Sequence, residues 1–256
     1  MRTIAFTNQK GGTGKTTACV SVGAGLVRAG QRVLLIDLDS QGNATVSVGI
    51  RPAADQPTTA EFLQGQVRIE DVMVDSYLAD LSVIPATPDL AHLEVVLAGK
   101  PKSQFSLRKA LEQSRDTVSA FDYVLIDCPP SLSLLTVNGL SAAQYAVVPV
   151  LCDYLSLEGL AHLTDTISQI RTHLNPSLDI LGILPNLVDH RLRITEESIA
   201  LLRRQFGSRV FRTEIRTCSR LREAPSFGKA IFDYAPGSTA AENFAALVRE
   251  IQRRVR

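Results

Sequence analysis

The sequence predicts an α/β fold built on a doubly wound, mostly parallel β-sheet with helices on both faces. Three observations lead to this fold class. Short apolar runs recur along the 256 residues, as expected of parallel strands that are buried on both faces. Stretches with the periodicity of helices lie between these runs. A glycine-rich loop directly follows the first run and leads into a helical pattern.

The apolar runs are the predicted strands, at positions 3–7, 33–37, 81–85, 123–127, 146–150 and 180–184. Two sets of apolar residues show helical spacing most clearly: Val20, Ala24 and Val27 after the first loop, and Leu160, Leu163, Ile167 and Ile170 in a longer helix. Thr58 followed by Glu61 has the spacing of a capping box. No repeat or Pro/Gly-rich linker divides the chain, so we expect a single domain over residues 1–256.

The composition is that of an ordinary globular protein, with 45% apolar residues, 21% charged residues and a formal net charge of +1. The four cysteines are widely scattered and form no C-x-x-C pair, so we predict neither a zinc site nor a disulfide framework. The first apolar run begins next to Met1 and leaves no room for a signal peptide, and no stretch has the length of a membrane span. We therefore expect a cytoplasmic protein.

The loop after the first strand reads Q-K-G-G-T-G-K-T-T at positions 9–17. Because Gly11, Gly12 and Gly14 lack side-chain bulk, consecutive backbone N–H groups can wrap phosphates at the positive end of the following helix. Lys15 is then expected to neutralise the β- and γ-phosphates of a nucleotide, and the Thr16 hydroxyl to ligate Mg²⁺. A glycine-rich turn with two surface lysines is the alternative, but the strand, loop and helix context favours a phosphate loop.

The loop departs from the common G-x-x-x-x-G-K-[ST] pattern, because Gln9 stands where the first glycine belongs and a lysine occupies position 10. It resembles the deviant Walker A motif, K-G-G-x-G-K-[ST], of the ParA/MinD/nitrogenase iron protein superfamily. The resemblance implies that Lys10 reaches across a dimer interface to the phosphates of the ATP held by the partner. Such a cation can offset charge on the transferring phosphoryl group, which would couple ATP binding to dimerisation.

The second motif reads D-L-D-S-Q-G-N at positions 37–43 and ends the second predicted strand. In open α/β sheets, ligands bind at the carboxyl ends of the strands. By resemblance, Asp39 is the switch carboxylate that orients or deprotonates the attacking water, and Asp37 lies nearby in the metal shell. Asp39 completes the expected catalytic set with Lys10 and Lys15. An ordinary turn rich in Asp, Asn and Gly is the alternative.

The third motif reads Y-V-L-I-D-C-P-P-S at positions 123–131. An aspartate at the end of an apolar strand, here Asp127, can hold the water shell of Mg²⁺, which is the Walker B role. The expected metal set is therefore Thr16, Asp37 and Asp127. The two prolines form a stiff exit that resembles the second switch of the superfamily. Cys128 is expected to be a small buried residue rather than a nucleophile, because no histidine or second cysteine accompanies it.

Within the superfamily, the chain is similar to the chromosomal ParA (Soj) group over nearly its whole length. The shared segments are N-Q-K-G-G at 8–12, L-D-S-Q-G-N-A at 38–44, D-C-P-P-S-L at 127–132, L-E-G-L at 157–160 and E-A-P-S-F-G-K at 223–229. Where the group usually has I-P-R-N, this chain has I-R-T-C at 215–218, so Arg216 replaces the proline that lines the adenine pocket.

The resemblance implies ATP and Mg²⁺ as cofactors. The expected ATP-binding residues are Lys10, Gly11, Gly12, Thr13, Gly14, Lys15, Thr16 and Thr17 in the loop, with Asn186 as a candidate for contact with the base.

Other branches of the superfamily make different predictions. An iron protein or iron–sulfur scaffold needs cysteines that meet around a cluster, and the cysteines here are not so spaced. MinD proteins end in a membrane-binding amphipathic helix. The last helical pattern contains Phe244, Leu247, Val248, Ile251 and Val255, which we expect to pack on the core, and Arg249, Arg253, Arg254 and Arg256, which we expect to stay solvated. A membrane-patterning ATPase is therefore kept as the alternative of a different class.

Basic residues concentrate between positions 203 and 229, opposed by Glu214 and Glu223; they are Arg203, Arg204, Arg209, Arg212, Arg216, Arg220, Arg222 and Lys229. A surface of one sign can neutralise DNA phosphates without reading sequence, and the scarcity of aromatic residues favours duplex over single-stranded DNA. Resemblance adds Arg191 and supports Arg220. The expected DNA-binding residues are Arg191, Arg216, Arg220, Arg222 and Lys229. The alternative is a solvated face whose arginines pair with carboxylates.

Together these motifs predict an ATP-driven, DNA-binding ATPase that segregates a chromosome or plasmid. The resemblance implies that ATP converts a DNA-free monomer into a homodimer that binds duplex DNA and associates with the nucleoid. It also implies that a ParB-like partner stimulates slow hydrolysis through a basic N-terminal peptide. Because the last helix is expected to pack on the core, we predict no membrane partner. No helix-turn-helix precedes the first strand, which argues against a plasmid-type autorepressor. Positioning of another cargo, such as a protein compartment, is the alternative within the same mechanism.

Overall fold

The computed structural model describes residues 1–255, except for the side chains of Tyr154, Leu155, Leu157 and Glu158. Within this described part, seven strands form a sheet in the order β3-β4-β2-β5-β1-β6-β7. The strands are β1 (Arg2–Phe6), β2 (Val33–Asp37), β3 (Val74–Asp75), β4 (Leu81–Ile84), β5 (Tyr123–Asp127), β6 (Tyr145–Leu151) and β7 (Asp179–Asn186). Neighbouring strands are parallel, except that β3 runs antiparallel to β4.

This sheet confirms the predicted fold class. The predicted strands correspond to β1, β2, β4, β5, β6 and β7, and their ends differ from the prediction by only one or two residues. The edge strand β3 was missed, because Val74 and Asp75 are too few residues to show any periodicity.

Helices cover both faces of the sheet. They are α1 (Lys15–Arg28), α2 (Asn43–Ser47), α3 (Thr59–Gln64), α4 (Ile69–Val72), α5 (Asp89–Ala98), α6 (Ser106–Gln113), α7 (Arg115–Val118), α8 (Leu134–Ala142), α9 (Tyr154–His173), α10 (Arg193–Phe206), α11 (Arg220–Glu223), α12 (Ile231–Tyr234) and α13 (Thr239–Arg254). Single turns of 3₁₀-helix span Ser103–Phe105, Gly207–Arg209 and Ala224–Phe227. Thr58 and Glu61 form the predicted capping box at the start of α3. No helix in the described part has both the length and the apolar character needed to cross a membrane.

Alternate side chains of the inner strands enter two separate hydrophobic layers. In β2, Leu34 and Ile36 pack into the layer that contains the buried residues of α9, whereas Val33 and Leu35 pack into the layer formed with α1 and α13. Burial on both faces explains why the strands are continuous apolar runs rather than alternating ones.

The C-terminal helix packs on the core as predicted, with Phe244, Leu247, Val248, Ile251 and Val255 buried. The prediction that Arg254 is solvated was wrong. Its guanidinium donates to the carbonyl oxygens of Leu181 and Val210, at 2.9 Å each, and lies 4.3 Å from the centre of the Phe211 ring. A planar group with several donors can satisfy carbonyls at a crowded helix end and stack on an aromatic ring at the same time. Arg249 and Arg253 are exposed as predicted, and Arg256 lies outside the described residues.

Strand register brings the motifs to one edge of the sheet. Asp127 at the end of β5 lies opposite Phe6 at the end of β1 and opposite Asp37 at the end of β2. The loop that follows β1 therefore begins beside β5, and both β5 and its other neighbour β2 end in a carboxylate. This is the edge at which ligands bind in open parallel sheets.

Candidate nucleotide-binding site

The loop between β1 and α1 has the backbone of a phosphate cradle. Gly12 and Gly14 adopt left-handed conformations with φ of 73° and 79°, which residues with a Cβ rarely take. Gly14 is also the N-cap of α1, and no side chain caps that helix end. A Cβ at Gly14 would collide with Asn186 Nδ2, whereas one at Gly11 or Gly12 would meet no atom within 4 Å. The helix N-terminus is thus open to an anion. The bare face of the loop, at Gly11 and Gly12, has no neighbouring atoms among the described residues.

Lys15 lies inside this loop rather than on the surface. Its side chain is buried, and Nζ donates to the Lys10 carbonyl oxygen at 3.3 Å. Burial lowers the pKa of Lys15, while the nearby carboxylates of Asp127 and Asp39 oppose that effect. The lysine therefore supplies a partly desolvated positive charge at the point where the loop can surround a phosphate.

Thr16 and Asp127 form the second part of the site. Thr16 Oγ1 donates to Asp127 Oδ2 at 2.7 Å. Asp127 is fully buried, and its Oδ1 has no hydrogen-bond partner among the described residues. Burial raises the pKa of this carboxyl well above its ordinary value, and the neighbouring Asp37 adds to the shift. A buried carboxylate oxygen without a partner is costly, so it indicates a place where a cation or its water shell fits.

These groups fit Mg²⁺, which prefers oxygen ligands and is usually held by one or two protein groups together with phosphates and water. The donors present are the Thr16 hydroxyl and the Asp127 carboxylate, both hard oxygen ligands. The described residues contain no cluster of three or more His, Cys, Asp or Glu side chains with metal-binding geometry. The protein would therefore hold this metal together with a bound phosphate chain.

Asp37 occupies the same edge but already has partners. Its Oδ2 accepts from the Thr45 N–H at 2.9 Å and from Thr45 Oγ1 at 2.7 Å, and its Oδ1 accepts from the Asp39 N–H at 3.1 Å. Burial raises the pKa of Asp37 to about 6 despite these bonds. Asp37 therefore ties down the loop that carries Asp39. Thr45 was not predicted from the sequence, although it lies only two residues beyond the second motif.

Asp39 lies on the loop that Asp37 holds. Its side chain is mostly buried, and its Oδ1 accepts from the Gln41 N–H at 3.0 Å. Gly42, with φ of 63°, turns the chain into α2, and a Cβ there would lie 2.9 Å from the Ala86 carbonyl oxygen. Only glycine fits at this turn, which joins the Asp39 loop directly to α2.

Lys10 is held within its own chain. Its Nζ donates to Ser156 Oγ at 2.9 Å and lies 3.3 Å from Asp153 Oδ2, at the start of α9. Its backbone N–H donates to Asn8 Oδ1 at 3.0 Å, and Asn8 Nδ2 donates to the Pro149 carbonyl at 2.7 Å. Asp153 and Ser156 were not singled out from the sequence. The side chains of Leu157 and Glu158, in the L-E-G-L segment, lie outside the described residues.

Asn186 ends β7 beside the phosphate loop. Its Nδ2 donates to the Thr13 carbonyl at 2.7 Å, and its buried Oδ1 has no partner in the described chain. The segment with Arg216 runs alongside, because the Ile215 N–H donates to the Pro185 carbonyl at 3.0 Å and the Val188 N–H to the Ile215 carbonyl at 2.9 Å. The candidate base contact and the residue that replaces the family's proline are therefore close neighbours.

The basic residues are found in two arrangements. Arg191 makes a bidentate pair with Asp189, and Arg220 pairs with Glu223 at 2.8 Å. Arg216, Arg222 and Lys229 are exposed, and no ion pair joins them to a carboxylate of the described residues. The alternative of arginines that pair with carboxylates thus holds for Arg191 and Arg220.

Comparison with known proteins agrees with this geometry. The family model described as "AAA domain" matches residues 1–180. The sporulation initiation inhibitor protein Soj of Bacillus subtilis is 42% identical over 248 residues, which are 97% of each chain. The chromosome-partitioning ATPase Soj of Thermus thermophilus is 45% identical over 257 residues, 100% of this chain and 97% of that protein. The chain belongs to the ParA/Soj family.

Solved structures related to this ParA/Soj family member share its whole fold. A structure of cobyrinic acid a,c-diamide synthase from Mycobacterium smegmatis with bound ATP analog and magnesium is 33% identical, with a TM-score of 0.88 over 100% of this chain and 96% of that one. The cell division ATPase MinD of Pyrococcus furiosus aligns with a TM-score of 0.80 at 24% identity over 98% of both chains, which indicates a shared fold.

Proposed function

We propose that this chain is a partitioning ATPase that binds ATP and Mg²⁺, dimerises around the nucleotide and binds duplex DNA without sequence preference as a dimer. Residues 1–256 would act as a single cytoplasmic ATPase domain, associated with the nucleoid when ATP is bound. A ParB-like partner would stimulate slow hydrolysis. Similarity to named Soj proteins over nearly the whole chain supports the partitioning role.

One observation carries the ATPase assignment. The Thr16 hydroxyl and the buried Asp127 carboxylate are in contact at 2.7 Å beside the glycine loop, and Asp127 keeps an unpartnered Oδ1. A buried Lys15 lies in the same loop. A nucleoside triphosphate with Mg²⁺ requires a backbone cradle for its phosphates, a positive side chain such as Lys15, and hard oxygen donors for the metal.

Each site residue then has a distinct task. Lys15 neutralises the β- and γ-phosphates, and the backbone N–H groups of residues 11–17 surround them. Thr16 would ligate the metal and Asp127 would hold its water shell, with Asp37 fixing the loop beside them. Bound Mg²⁺ would offset charge on the phosphate oxygens. Asn186 Oδ1 accepts a hydrogen bond from the adenine amino group.

Asp39 and Lys10 complete the reaction. Asp39 orients the attacking water and accepts its proton as the γ-phosphoryl group is transferred to that water, which yields ADP and phosphate. Lys10 of one protomer must leave Asp153 and Ser156 to reach the phosphates of the partner's ATP. The bare face of the loop at Gly11 and Gly12 leaves room for a partner to approach.

The DNA assignment is carried by the basic residues near the C-terminus. Arg216, Arg222 and Lys229 offer exposed charges, and Arg220 can exchange its exposed pair with Glu223 for a phosphate at little cost. The alternative of a membrane-patterning ATPase has less support, because the apolar face of α13 is buried against the core and is not free to bind a membrane.

The test is to measure mass and DNA affinity on the same samples, with ATP and with ADP. We expect ATP to produce a dimer that binds duplex DNA and ADP to leave a monomer that does not. A parent protein that binds DNA equally well as an ADP-bound monomer would contradict the proposal. Pelleting with liposomes in place of DNA tests the membrane alternative. Positioning of a non-DNA cargo is tested by the gene beside this one, where a ParB-like product would support DNA segregation.

A further inference from the structure

Two glycines join the end of α2, the helix that follows the Asp39 loop, to the basic segment Arg220–Lys229. A Cβ built on Gly228 would lie 2.7 Å from Gly49 Cα and 3.1 Å from Gly49 N, and one built on Gly49 would lie 3.2 Å from the Gly228 carbonyl oxygen. Both glycines have positive φ, 80° at Gly49 and 61° at Gly228. The two backbones are thus in direct contact, and no side chain lies between them that could yield.

On one side of this contact, residues 39–49 form a connected unit. Thr45 is bonded to Asp37 through its N–H and hydroxyl, and its Oγ1 also accepts from the Ala86 N–H at 3.0 Å. The Gly42 N–H donates to the Asp39 carbonyl at 2.9 Å, and the Gly49 N–H to the Val46 carbonyl at 3.0 Å. Asp37 thus anchors both Asp39, through the Asp39 N–H, and α2, through Thr45, so a change in how Asp39 is held reaches α2 and Gly49 through this shared anchor.

On the other side, the basic segment is also stiff. Glu223 Oε2 accepts from Arg220 at 2.8 Å and from the Tyr234 hydroxyl at 2.7 Å. The Phe227 ring, 64% exposed, stacks on the Tyr234 ring with centroids 5.0 Å apart. Gly228 follows directly and bonds through its N–H to the Pro225 carbonyl at 3.0 Å. Pushing on Gly228 would move this segment as a body.

We propose that the Gly49–Gly228 contact passes the nucleotide state of the Asp39 loop to the DNA-contacting segment Arg220–Lys229 within one subunit. Dimerisation alone would double the number of phosphate contacts. The glycine contact adds a second effect, because it sets where Arg220, Arg222 and Lys229 lie when Asp39 engages the nucleotide. Gly49 and Gly228 are thus positioning residues, and this inference rests on the proposed DNA-binding function.

The chain offers a matched pair of substitutions. Gly228 caps the 3₁₀ turn Ala224–Phe227 with φ 61° and ψ 32°, and Gly65 caps α3 with φ 69° and ψ 27°. A Cβ at Gly65 meets no atom within 4 Å. Gly228→Ala and Gly65→Ala therefore share the backbone strain, and only Gly228→Ala pushes on Gly49.

The experiment measures duplex-DNA affinity and dimer mass with a non-hydrolysable ATP analogue and with ADP. In Gly228→Ala we expect the analogue-over-ADP ratio of DNA affinity to fall by about tenfold at unchanged dimer fraction, a coupling of ordinary size. Gly65→Ala should keep the parent ratio, although both variants melt lower. A Gly228→Ala dimer with the parent ratio would overturn the coupling. A parent that shows no preference for the analogue would instead contradict the proposed function.

A second measurement covers the case in which Gly228→Ala does not fold. Gly49→Ala makes the milder contact, 3.2 Å from a carbonyl oxygen, and should give a smaller loss in the same direction. Hydrogen exchange of the parent should differ between analogue and ADP at the Gly228 and Lys229 amides. Unchanged exchange at both amides would overturn the proposal, as would the parent's affinity ratio in Gly49→Ala.

Discussion

Lys10 Nζ lies 3.3 Å from Asp153 Oδ2 and so forms an ion pair within its own chain. The cation expected to reach a partner's ATP therefore has a competing site at the start of α9. Both side chains are nearly half exposed, at 42% and 43%, so the pair is worth only about 0.2–1 kcal/mol. Such a contact can hold Lys10 in a monomer and still release it to a phosphate chain.

Weakening this pair should favour the dimer. Asp153 is also the N-cap of α9 and accepts from the Ser156 N–H at 2.7 Å. Asparagine caps as well as aspartate, so Asp153→Asn removes the charge and keeps the cap. We expect ATP-dependent dimerisation to tighten by up to about fivefold. Analytical ultracentrifugation with ATP checks this, and an unchanged or weaker dimer would show that the pair does not restrain Lys10.

Loss of Lys15 should remove nucleotide binding. A buried charge that contacts phosphate contributes about 1.5–3 kcal/mol or more, so Lys15→Ala should lower ATP affinity by at least about tenfold. Calorimetric titration with Mg²⁺ and ATP measures the effect, and Lys109→Ala, an exposed lysine of α6, is the control. Equal affinity in Lys15→Ala and the parent would rule out the phosphate-loop assignment.

Asp39→Asn should separate binding from turnover. The amide oxygen of asparagine can still accept from the Gln41 N–H, so the loop keeps its shape while the base is lost. We expect ATP binding and dimerisation to persist while hydrolysis falls by about 10²–10⁴-fold. Phosphate release measured beside dimer mass tests this, with Asp39→Ala as the second variant. Hydrolysis at the parental rate in either variant would exclude Asp39 as the switch carboxylate.

DNA affinity should depend steeply on salt and nucleotide. If each protomer offers about three or four phosphate contacts, a dimer neutralises about seven phosphates. Log K should then fall against log salt concentration with a slope of about −6.

Replacing Lys10 or Gly11 should weaken DNA binding through loss of the dimer, since neither residue is expected to touch DNA. A bulky side chain at position 11 would fill the bare face of the loop.

Arg220→Glu should weaken binding to every DNA sequence alike and leave ATP-dependent dimerisation intact. Arg68→Glu is the matched control, because Arg68 forms an exposed i,i+3 pair with Asp71 just as Arg220 does with Glu223. Mobility-shift titrations on random-sequence duplexes compare the two. If Arg220→Glu binds as tightly as Arg68→Glu, the DNA surface lies elsewhere.

Glu250 should be important for stability although it is remote from the site. It accepts from the Arg212 and Thr213 N–H groups, the Thr213 hydroxyl and the Arg254 guanidinium. Glu250→Ala leaves these partly buried donors without their acceptor, so we expect a loss of about 3 kcal/mol and a melting temperature lower by about 6–12 °C. Glu112→Ala, in the exposed i,i+4 pair with Arg108, should change stability by less than about 0.5 kcal/mol. Similar losses in the two variants would contradict this role.

The same carboxylate predicts a pH dependence. Burial alone would raise the pKa of Glu250, but the hydrogen bonds from Arg212, Thr213 and Arg254 outweigh burial and lower it. A carboxyl with a lowered folded-state pKa stabilises the protein above its unfolded pKa of about 4.5, and this contribution is lost as pH falls further. Thermal melts from pH 7 to pH 3 should therefore converge for the parent and Glu250→Gln. A constant difference over this range would exclude the ionised carboxylate as the cause.

The sequence alone determined the sheet and the loop of the site. Strands buried on both faces must be apolar throughout, and a phosphate cradle needs glycines followed by lysine and threonine. Both features are therefore recognisable as local patterns in the sequence. Asp37 and Asp127 were predicted to lie near the loop because the carboxyl ends of parallel strands share one edge. Resemblance supplied the expected roles of Lys10 and Asp39, which local pattern does not contain.

Only the tertiary structure decided contacts between residues far apart in the chain. Asp153 and Ser156 meet Lys10 because α9 begins beside the phosphate loop, and Gly228 meets Gly49 because the segment after α11 packs on α2. Arg254 turns inward because Glu250 and two carbonyl groups satisfy its donors at the edge of the sheet. In each case the sequence shows an ordinary surface residue or turn, and the partner is chosen by packing rather than by spacing along the chain.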